Sequence, residues 1–145
     1  MSENPKREYF NQLAPRWDAI PPREEAPAKV RRFVRQSAAG PPQLVLDVGC
    51  GTGVLLPAIL ETFPQATCVI EADFALAMLQ ENARKVRQPV VHRVCADAAM
   101  LPVADGRFDL VLCFGILPHL ADGRAALAEW LRVLKPGGAV AVGHL

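Results

Sequence analysis

Apolar residues along this chain form short continuous runs that alternate with stretches in which they recur every three or four positions. The runs are typical of strands buried on both faces, and the spaced stretches are typical of amphipathic helices. The pattern predicts a short helix that stops near Pro15 and a second helix over 24–37. Five strands separated by helices follow, at 43–48, 66–72, 90–95, 108–114 and 139–142. This alternation predicts an α/β fold with a doubly wound, mainly parallel sheet in a three-layer α/β/α arrangement.

The last predicted helix leads directly into the fifth strand. Its apolar spacing predicts an inward face made of Leu127, Trp130, Leu131 and Leu134. The segment 135–138, Lys-Pro-Gly-Gly, is predicted to end the helix. A chain of 145 residues fits a single domain. We divide it into an N-terminal helical lid or cap segment, 1–40, and a core, 41–145.

The composition argues against several classes of protein. Apolar residues make up 51% and charged residues 21% of the chain, as in ordinary soluble domains. The longest apolar run, 110–118, is far shorter than the roughly 20 residues that cross a bilayer, and 1–5 lacks a hydrophobic signal region. A net charge of +1 gives no electrostatic reason to expect nucleic acid or a membrane as a partner. The four cysteines, far apart and without a C-x-x-C pair, favour free thiols in a cytoplasmic protein and no metal site.

The first strand runs into a glycine-rich segment, 44–53, with the sequence LVLDVGCGTG. Glycines permit a sharp turn that a ligand can approach closely, and the start of the following helix adds unpaired donors. A dinucleotide-binding turn, G-x-G-x-x-G, would need glycine or alanine at the position of Val54. The carboxylate of Asp47 would repel a pyrophosphate but could accept hydrogen bonds from an ammonium group. A zwitterionic ligand therefore fits better than a dinucleotide.

Acidic residues follow the second and third strands. An acid about twenty residues after the glycine turn can accept hydrogen bonds from both hydroxyls of a ribose. Glu71 and Asp73 both qualify, although Glu71 could instead be a solvated strand end. Asp97 could accept from an exocyclic amine beside an apolar wall formed by Ala98 and Met100, or it could simply stabilise a turn.

These segments resemble the class I S-adenosylmethionine-dependent methyltransferases, in particular those of the ubiquinone and menaquinone biosynthesis type. Segment 45–53 matches the family's V-L-D-V-G-C-G-T-G letter for letter. Further resemblances are those of 73–79 to D-x-S-x-x-M-L, 96–102 to G-D-A-x-x-L-P, 108–120 to F-D-x-V-x-x-x-x-x-L-x-H-L, and 131–138 to L-R-V-L-K-P-G-G. Alanine replaces the family's serine at position 75 and its glycine at position 96. The match covers about 44–142.

The resemblance implies a Rossmann-like fold with S-adenosylmethionine as the cofactor. It implies that Asp73 rather than Glu71 holds the ribose, that Phe74 packs against adenine, and that the end of the fourth strand lines the methyl-donor pocket. The predicted cofactor-binding residues are Asp47, Gly49, Cys50, Gly51, Gly53, Asp73, Phe74, Asp97, Ala98 and Phe114.

His119 is the candidate catalytic residue. It is the one histidine near the expected site, and imidazole is the usual general base near neutral pH. In many members of the family that this chain resembles, the equivalent histidine serves structure, so both roles stay open. Segment 9–18 resembles the family's F-x-x-x-A-x-x-Y-D lid, and the alternative is a helix that only covers a hydrophobic sheet edge.

The sequence therefore predicts methyl transfer to a small-molecule acceptor, achieved mainly by positioning two reactants and without a metal. The alternatives are a non-catalytic or truncated cofactor-binding module and a nicotinamide-dependent oxidoreductase, which Val54 and Asp47 disfavour. The family that the chain resembles continues past the fifth strand with a helix and an antiparallel hairpin, which we expect this chain to lack. An uncovered fifth strand predicts either a piece of a longer enzyme or a homodimer formed through that strand.

Overall fold

A five-stranded parallel sheet forms the centre of residues 4–144, the part of the chain that this computed structural model describes. Its strands are β1 (Leu44–Val48), β2 (Cys68–Asp73), β3 (Val91–Cys95), β4 (Phe108–Phe114) and β5 (Leu134–Gly143). They lie in the order β3-β2-β1-β4-β5, and every neighbouring pair is parallel. Strands β2 and β3 are added on one side of β1, and β4 and β5 on the other, so the strand order switches sides between β1 and β4. In such sheets the crevice beyond the carboxyl ends of these two strands is the usual place for a ligand.

The helices of the described chain are α1 (Pro5–Trp17), α2 (Ala26–Gln36), α3 (Leu56–Thr62), α4 (Leu76–Lys85) and α5 (Gly123–Val133), with a 3₁₀ helix at Leu117–His119. Two of these helices, α1 and α5, have a side-chain cap at the N-terminus. The Asn4 side chain accepts hydrogen bonds from the first N–H groups of α1, and the Asp122 carboxylate does the same for α5. These caps satisfy backbone donors that have no partner within the helix.

Helices cover both faces of the sheet because successive residues of a strand point to opposite sides. Val45 of β1 packs on one face with Val34 of α2 and Ile59 of α3. Leu46, the next residue of β1, packs on the other face with Trp130 of α5. This arrangement confirms the predicted doubly wound α/β fold.

The first helix ends near Pro15, as predicted, but Pro15 does not stop it, because α1 includes Pro15 and ends at Trp17. Proline removes one N–H donor, here the one that would bind the carbonyl of Asn11. Pro15 is exposed and lies in the last turn of the helix. Little helix remains after it to be disrupted.

Two of the four residues predicted to face inward from the last helix face solvent instead. Leu127 and Leu131 are 44% and 57% exposed. The inward residues of α5 are Ala126, Trp130 and Val133. The indole Nε1 of Trp130 donates a hydrogen bond to the carbonyl of Ala98 at 3.0 Å, which fixes the rotation of the helix.

The Lys-Pro-Gly-Gly segment lies within β5 rather than before it. Phe108 pairs with Leu134 and Leu110 pairs with Ala139, so the residues between Leu134 and Ala139 bulge out of the ladder. Gly137 has a φ of 82°, which suits this irregularity. The four cysteines are free within the described chain, and none of its helices is long and apolar enough to cross a membrane.

Candidate functional site

The turn after β1 is built on glycines in the left-handed region. The φ angles of Gly49, Gly51 and Gly53 are 67°, 56° and 98°, values that residues with a Cβ rarely adopt. The N–H groups of Gly49 and Cys50 donate to the carbonyl of Ala72 at 2.8 and 3.0 Å, which ties the turn to the end of β2. A Cβ at Gly51 would meet no described atom within 4 Å. The backbone at Gly51 is therefore open to a ligand.

Asp73 fastens this turn to α4. Its Oδ2 accepts a hydrogen bond from the Gly51 N–H at 2.9 Å, and its Oδ1 accepts one from the Ala75 N–H at 2.9 Å. Burial raises the pKa of Asp73, while the two backbone donors partly oppose that shift. Each carboxylate oxygen has a further lone pair, so Asp73 could also accept hydrogen bonds from ligand hydroxyls.

Asp47 and Glu71 lie side by side next to the glycine turn. They are paired in register on β1 and β2 and are 1% and 0% exposed. The interpretation of Glu71 as a solvated strand end is wrong, because α4 covers β2 here and Asn82 donates to Glu71 Oε1 at 2.9 Å. Burial raises the pKa of both acids, and the neighbouring Glu71 raises that of Asp47 further.

The segment after β3 forms a turn that Asp97 stabilises. Asp97 Oδ1 accepts a hydrogen bond from the Ala99 N–H at 2.8 Å. The Ala96 N–H donates to the Asp73 carbonyl at 2.9 Å and so holds the segment beside the end of β2. Asp97 is exposed and Ala98 is partly buried. Asp97 thus makes the turn that the sequence allowed, and it is also accessible to a ligand.

Two of the predicted site residues, Phe74 and His119, are joined through α1. The ring of Phe10 lies 6.0 Å from that of Phe74 and 5.6 Å from that of His119, measured between centroids. Lys6 Nζ donates to the carbonyl of His119 at 3.0 Å, and Arg7 lies 5.9 Å from the centre of the Phe74 ring. α1 therefore links the residues that follow β2 and β4.

The C-terminal end of α1 is latched to the glycine turn through Asp18. Its carboxylate accepts hydrogen bonds from Thr52 Oγ1 at 2.7 Å and from Lys85 Nζ at 2.8 Å. Desolvation raises the pKa of Asp18, but Lys85 and Thr52 outweigh that effect and leave the pKa below its usual value. One turn before Asp18, Ala14 of α1 packs against Ala75 and Met78. The helix thus covers the turn and α4.

Phe114 packs on the α2 side of the sheet. Its ring centroid lies 5.0 Å from that of Phe33. The two rings border a groove of about 220 Å³ at the carboxyl ends of β4 and β5. The other residues that line the groove are Lys29, Arg32, Gln36, Gly143 and His144.

Residues that the sequence analysis did not select complete the site. Asn82 Nδ2 lies 3.6 Å from Cys50 Sγ and 3.4 Å from the Gly51 carbonyl, and Arg93 Nε donates to Asn82 Oδ1 at 2.9 Å. Burial also raises the pKa of Cys50 well above its usual value, so that its thiol stays neutral. Asn82 carried a usable signal, since it lies three residues after Leu79 on the apolar side of a predicted helix. Asp18 carried none.

Comparisons with known proteins identify a methyltransferase domain in this chain. Residues 46–142 match the family model described as a methyltransferase domain. The demethylmenaquinone methyltransferase of Thermus thermophilus is 39% identical over 139 residues, 92% of this chain and 62% of that protein. The demethylmenaquinone methyltransferase of Corynebacterium urealyticum is 40% identical over 112 residues, 77% of this chain and 46% of that protein. A SAM dependent methyltransferase from Aquifex aeolicus has the same fold, with a TM-score of 0.70 at 22% identity, over 94% of this chain and 71% of that chain.

The chain belongs to the methyltransferase domain family, as its resemblance predicted. It spans 46% and 62% of the length of the two curated relatives described above.

Proposed function

We propose that this chain binds S-adenosylmethionine at the glycine turn and transfers its methyl group to a small-molecule acceptor. The observation that carries this proposal is the hydrogen bond between Asp73 and the Gly51 N–H, in a methyltransferase domain whose turn is open at Gly51. The cofactor would supply a methyl group activated by a sulfonium leaving group. The protein then needs chiefly to bind and orient two reactants.

The residues around the turn fit the parts of this cofactor. The Asp73 carboxylate would accept from the ribose hydroxyls, and Asp97 from the exocyclic amine of adenine. The partly buried ring of Phe74 offers an apolar surface for the base. The backbone from Gly49 to Gly53 would face the amino-acid portion, whose ammonium and sulfonium charges are favoured by the negative charge of the buried Asp47–Glu71 pair.

The cofactor assignment is tested by replacing Asp73 and titrating the full chain with S-adenosylhomocysteine in a calorimeter. Asp73→Ala removes both the ribose acceptor and the brace on Gly51. Affinity should fall by about ten- to 100-fold, in line with about 1.5–3 kcal/mol for hydrogen bonds to a charged group. Glu61→Ala, at an exposed acid on α3, is the control and should bind like wild type. Heat with NAD but none with S-adenosylmethionine or S-adenosylhomocysteine would overturn the proposal in favour of an oxidoreductase.

The acceptor that we propose is a quinol-type aromatic ring, as the names of the relatives suggest. The groove beside Phe114 supports this class, because Phe33 and Phe114 offer aromatic surface while Lys29 and Arg32 offer cations for a ring oxygen. The acceptor would form a bond to the methyl carbon as the bond from carbon to sulfur breaks, and would lose one proton. His119 is our candidate to take that proton.

Methyl transfer to a short-chain demethylmenaquinol, followed with a labelled donor, tests this acceptor class. Cofactor binding without turnover on this or any other acceptor would favour a non-catalytic binding module.

A further inference from the structure

A pair of buried acids with unpaired oxygens lies against the glycine turn. Asp47 and Glu71 face each other across β1 and β2, and each is almost fully buried. Asp47 Oδ2 and Glu71 Oε2 expose no surface and have no hydrogen-bond partner among the described residues. Two adjacent carboxylates in such a place repel each other and are poorly solvated, so both cannot remain ionised. One proton between the two unpaired oxygens would satisfy both.

The groups around the pair leave room for only one negative charge on it. The titratable or charged side chains that face it are Asp73 on β2, Arg93 on β3, Cys113 on β4 and Cys50 in the turn. Burial raises the pKa of Cys50 and Cys113, so both thiols are neutral. Arg93 is then the one cation among these groups, and it offsets a single charge. Glu71 Oε1 already accepts a hydrogen bond from Asn82 Nδ2, which favours the ionised form of Glu71 and leaves the proton to Asp47.

Asn82 connects this pair to the turn. Arg93 Nε donates to Asn82 Oδ1 at 2.9 Å, which obliges Nδ2 to point the other way. Nδ2 donates to Glu71 Oε1 at 2.9 Å and lies 3.4 Å from the Gly51 carbonyl. The same nitrogen is 3.0 Å from the place that a Cβ on Gly53 would occupy. The shape of the turn is therefore set by a chain of contacts from Arg93 through Asn82 to Glu71.

We propose that Asp47 and Glu71 share one proton next to the glycine turn, and that Glu71 and Asn82 act as positioning residues for that turn. The proton lies on Asp47 Oδ2 and is donated to Glu71 Oε2, so the pair carries one negative charge opposite Arg93. The positioning role of Glu71 and Asn82 in cofactor binding rests on the function proposed above. The shared proton stands on the structure alone.

The shared proton has a measurable effect on stability. In the unfolded chain both acids ionise near pH 4, whereas the folded chain keeps one proton at higher pH. The folded state then binds more protons than the unfolded state, so stability falls as pH rises above about 5. The unfolding equilibrium constant should increase by up to about tenfold per pH unit for this one proton.

Glu71→Gln replaces the shared proton with an amide hydrogen. The introduced amide can donate to an ionised Asp47 and still accept from Asn82, so the net charge of the pair is unchanged. Urea unfolding of the full chain between pH 5 and 8 should show a slope smaller than wild type by up to one proton. Glu61→Gln, the same change at an exposed acid, should keep the wild-type slope. Equal slopes in wild type and Glu71→Gln would overturn the shared proton.

A second measurement uses the wild-type chain and needs no variant to fold. Infrared spectra at neutral pH should contain the C=O stretch of a protonated carboxyl, which ionised surface acids do not give. Absence of this band would overturn the shared proton.

The positioning role is measured separately, by titration with S-adenosylhomocysteine. Glu71→Leu removes the shortest of the hydrogen bonds that Asn82 Nδ2 donates and should weaken binding at least tenfold, whereas Glu71→Gln should recover most of that loss. Equal affinities for these two variants would overturn the positioning role. If wild type binds neither S-adenosylhomocysteine nor S-adenosylmethionine while the pH slopes behave as expected, the proposed function fails and the shared proton stands.

Discussion

A methyl group at Gly53 would meet the side chain of Asn82. Gly53 has a φ of 98°, and a Cβ there would lie 3.0 Å from Asn82 Nδ2. Strained backbone of this kind costs about 1–3 kcal/mol, so Gly53→Ala should destabilise the fold by that amount. Gly40→Ala is the matched control, because a Cβ at Gly40 meets nothing described within 4 Å and its φ lies outside the left-handed region. That change should be neutral or stabilising by up to about 1 kcal/mol.

Urea unfolding of the two alanine variants measures this difference. Equal stabilities would show that the turn relaxes around the added methyl group, and that Asn82 does not confine it.

The acids of the site differ in how far the sequence could predict them. The distance after the glycine turn predicted an acid near it but fitted Glu71 and Asp73 equally, and the hydrogen bonds of Asp73 to Gly51 and Ala75 were not predicted. The burial of Glu71 could not be read from the chain, because a charged residue near a strand end is ordinarily solvated. Only the packing of α4 over β2 brings Asn82 to that carboxylate. Residues distant in sequence decide the environment of an acid, and no local pattern encodes them.

The latch at the end of α1 should control how firmly that helix is held. Asp18→Ala removes the acceptor of Thr52 and Lys85. The stability change should stay below about 1 kcal/mol, because the ion pair is half exposed and screened by solvent. The amides of α1 should exchange hydrogen faster than in wild type. Glu8→Ala is the control, since within the described residues 4–144 the Glu8 side chain accepts from Gln12 of the same helix. Equal exchange in both variants would show that Asp18 does not hold α1.

The latch also has a pH dependence with a definite sign. Lys85 and Thr52 leave the folded pKa of Asp18 below its unfolded value, in spite of desolvation. The latch is therefore present at neutral pH and is lost as pH falls through that lowered value. Exchange of the α1 amides in wild type, taken relative to the intrinsic rate at the same pH, should thus rise in acid below about pH 4. The Asp18→Ala variant should lack this rise.

Secondary structure was predicted best where one pattern stood alone. The bounds of β4 are those predicted, because a continuous apolar run between turns admits few alternatives. α5 was predicted in the wrong rotation, since its leucines and Trp130 form two apolar stripes and either could face the sheet. The hydrogen bond from the Trp130 indole to Ala98 decides between them. The two residues are 32 positions apart in the sequence, and the spacing of apolar residues within a helix holds no information about such a contact.

The order of elements along the chain was enough to predict the overall architecture. Alternating strands and helices require crossover connections, and these place helices on both faces of a parallel sheet. The sequence did not predict that the two helices of the N-terminal segment pack in different places. α2 packs against the sheet while α1 contacts α4, so the two predicted helices of the 1–40 segment have different surroundings. The division into a 1–40 segment and a core stays a prediction.

The outer edge of β5 is the surface through which we expect two copies of this chain to associate. β5 lies at the end of the sheet, and no described strand pairs with its far side. Unpaired N–H and C=O groups on such an edge favour pairing with another strand. Val142, 47% exposed, would lie in the contact. Around a two-fold axis each copy would present the same residues, so Val142→Lys would place like charges close together.

Sedimentation velocity over a range of concentrations tests this association. Wild type should form dimers in a concentration-dependent way, and Val142→Lys should weaken the dimer at least tenfold, which is about 1.4 kcal/mol. Leu131→Lys makes the same change at an exposed apolar residue of α5 and should leave association unaltered. Dissociation by Leu131→Lys alone would place the contact on α5. A wild-type monomer at every concentration would show that the edge of β5 is protected from pairing by the bulge at 135–138 and by the shortness of the regular strand after it.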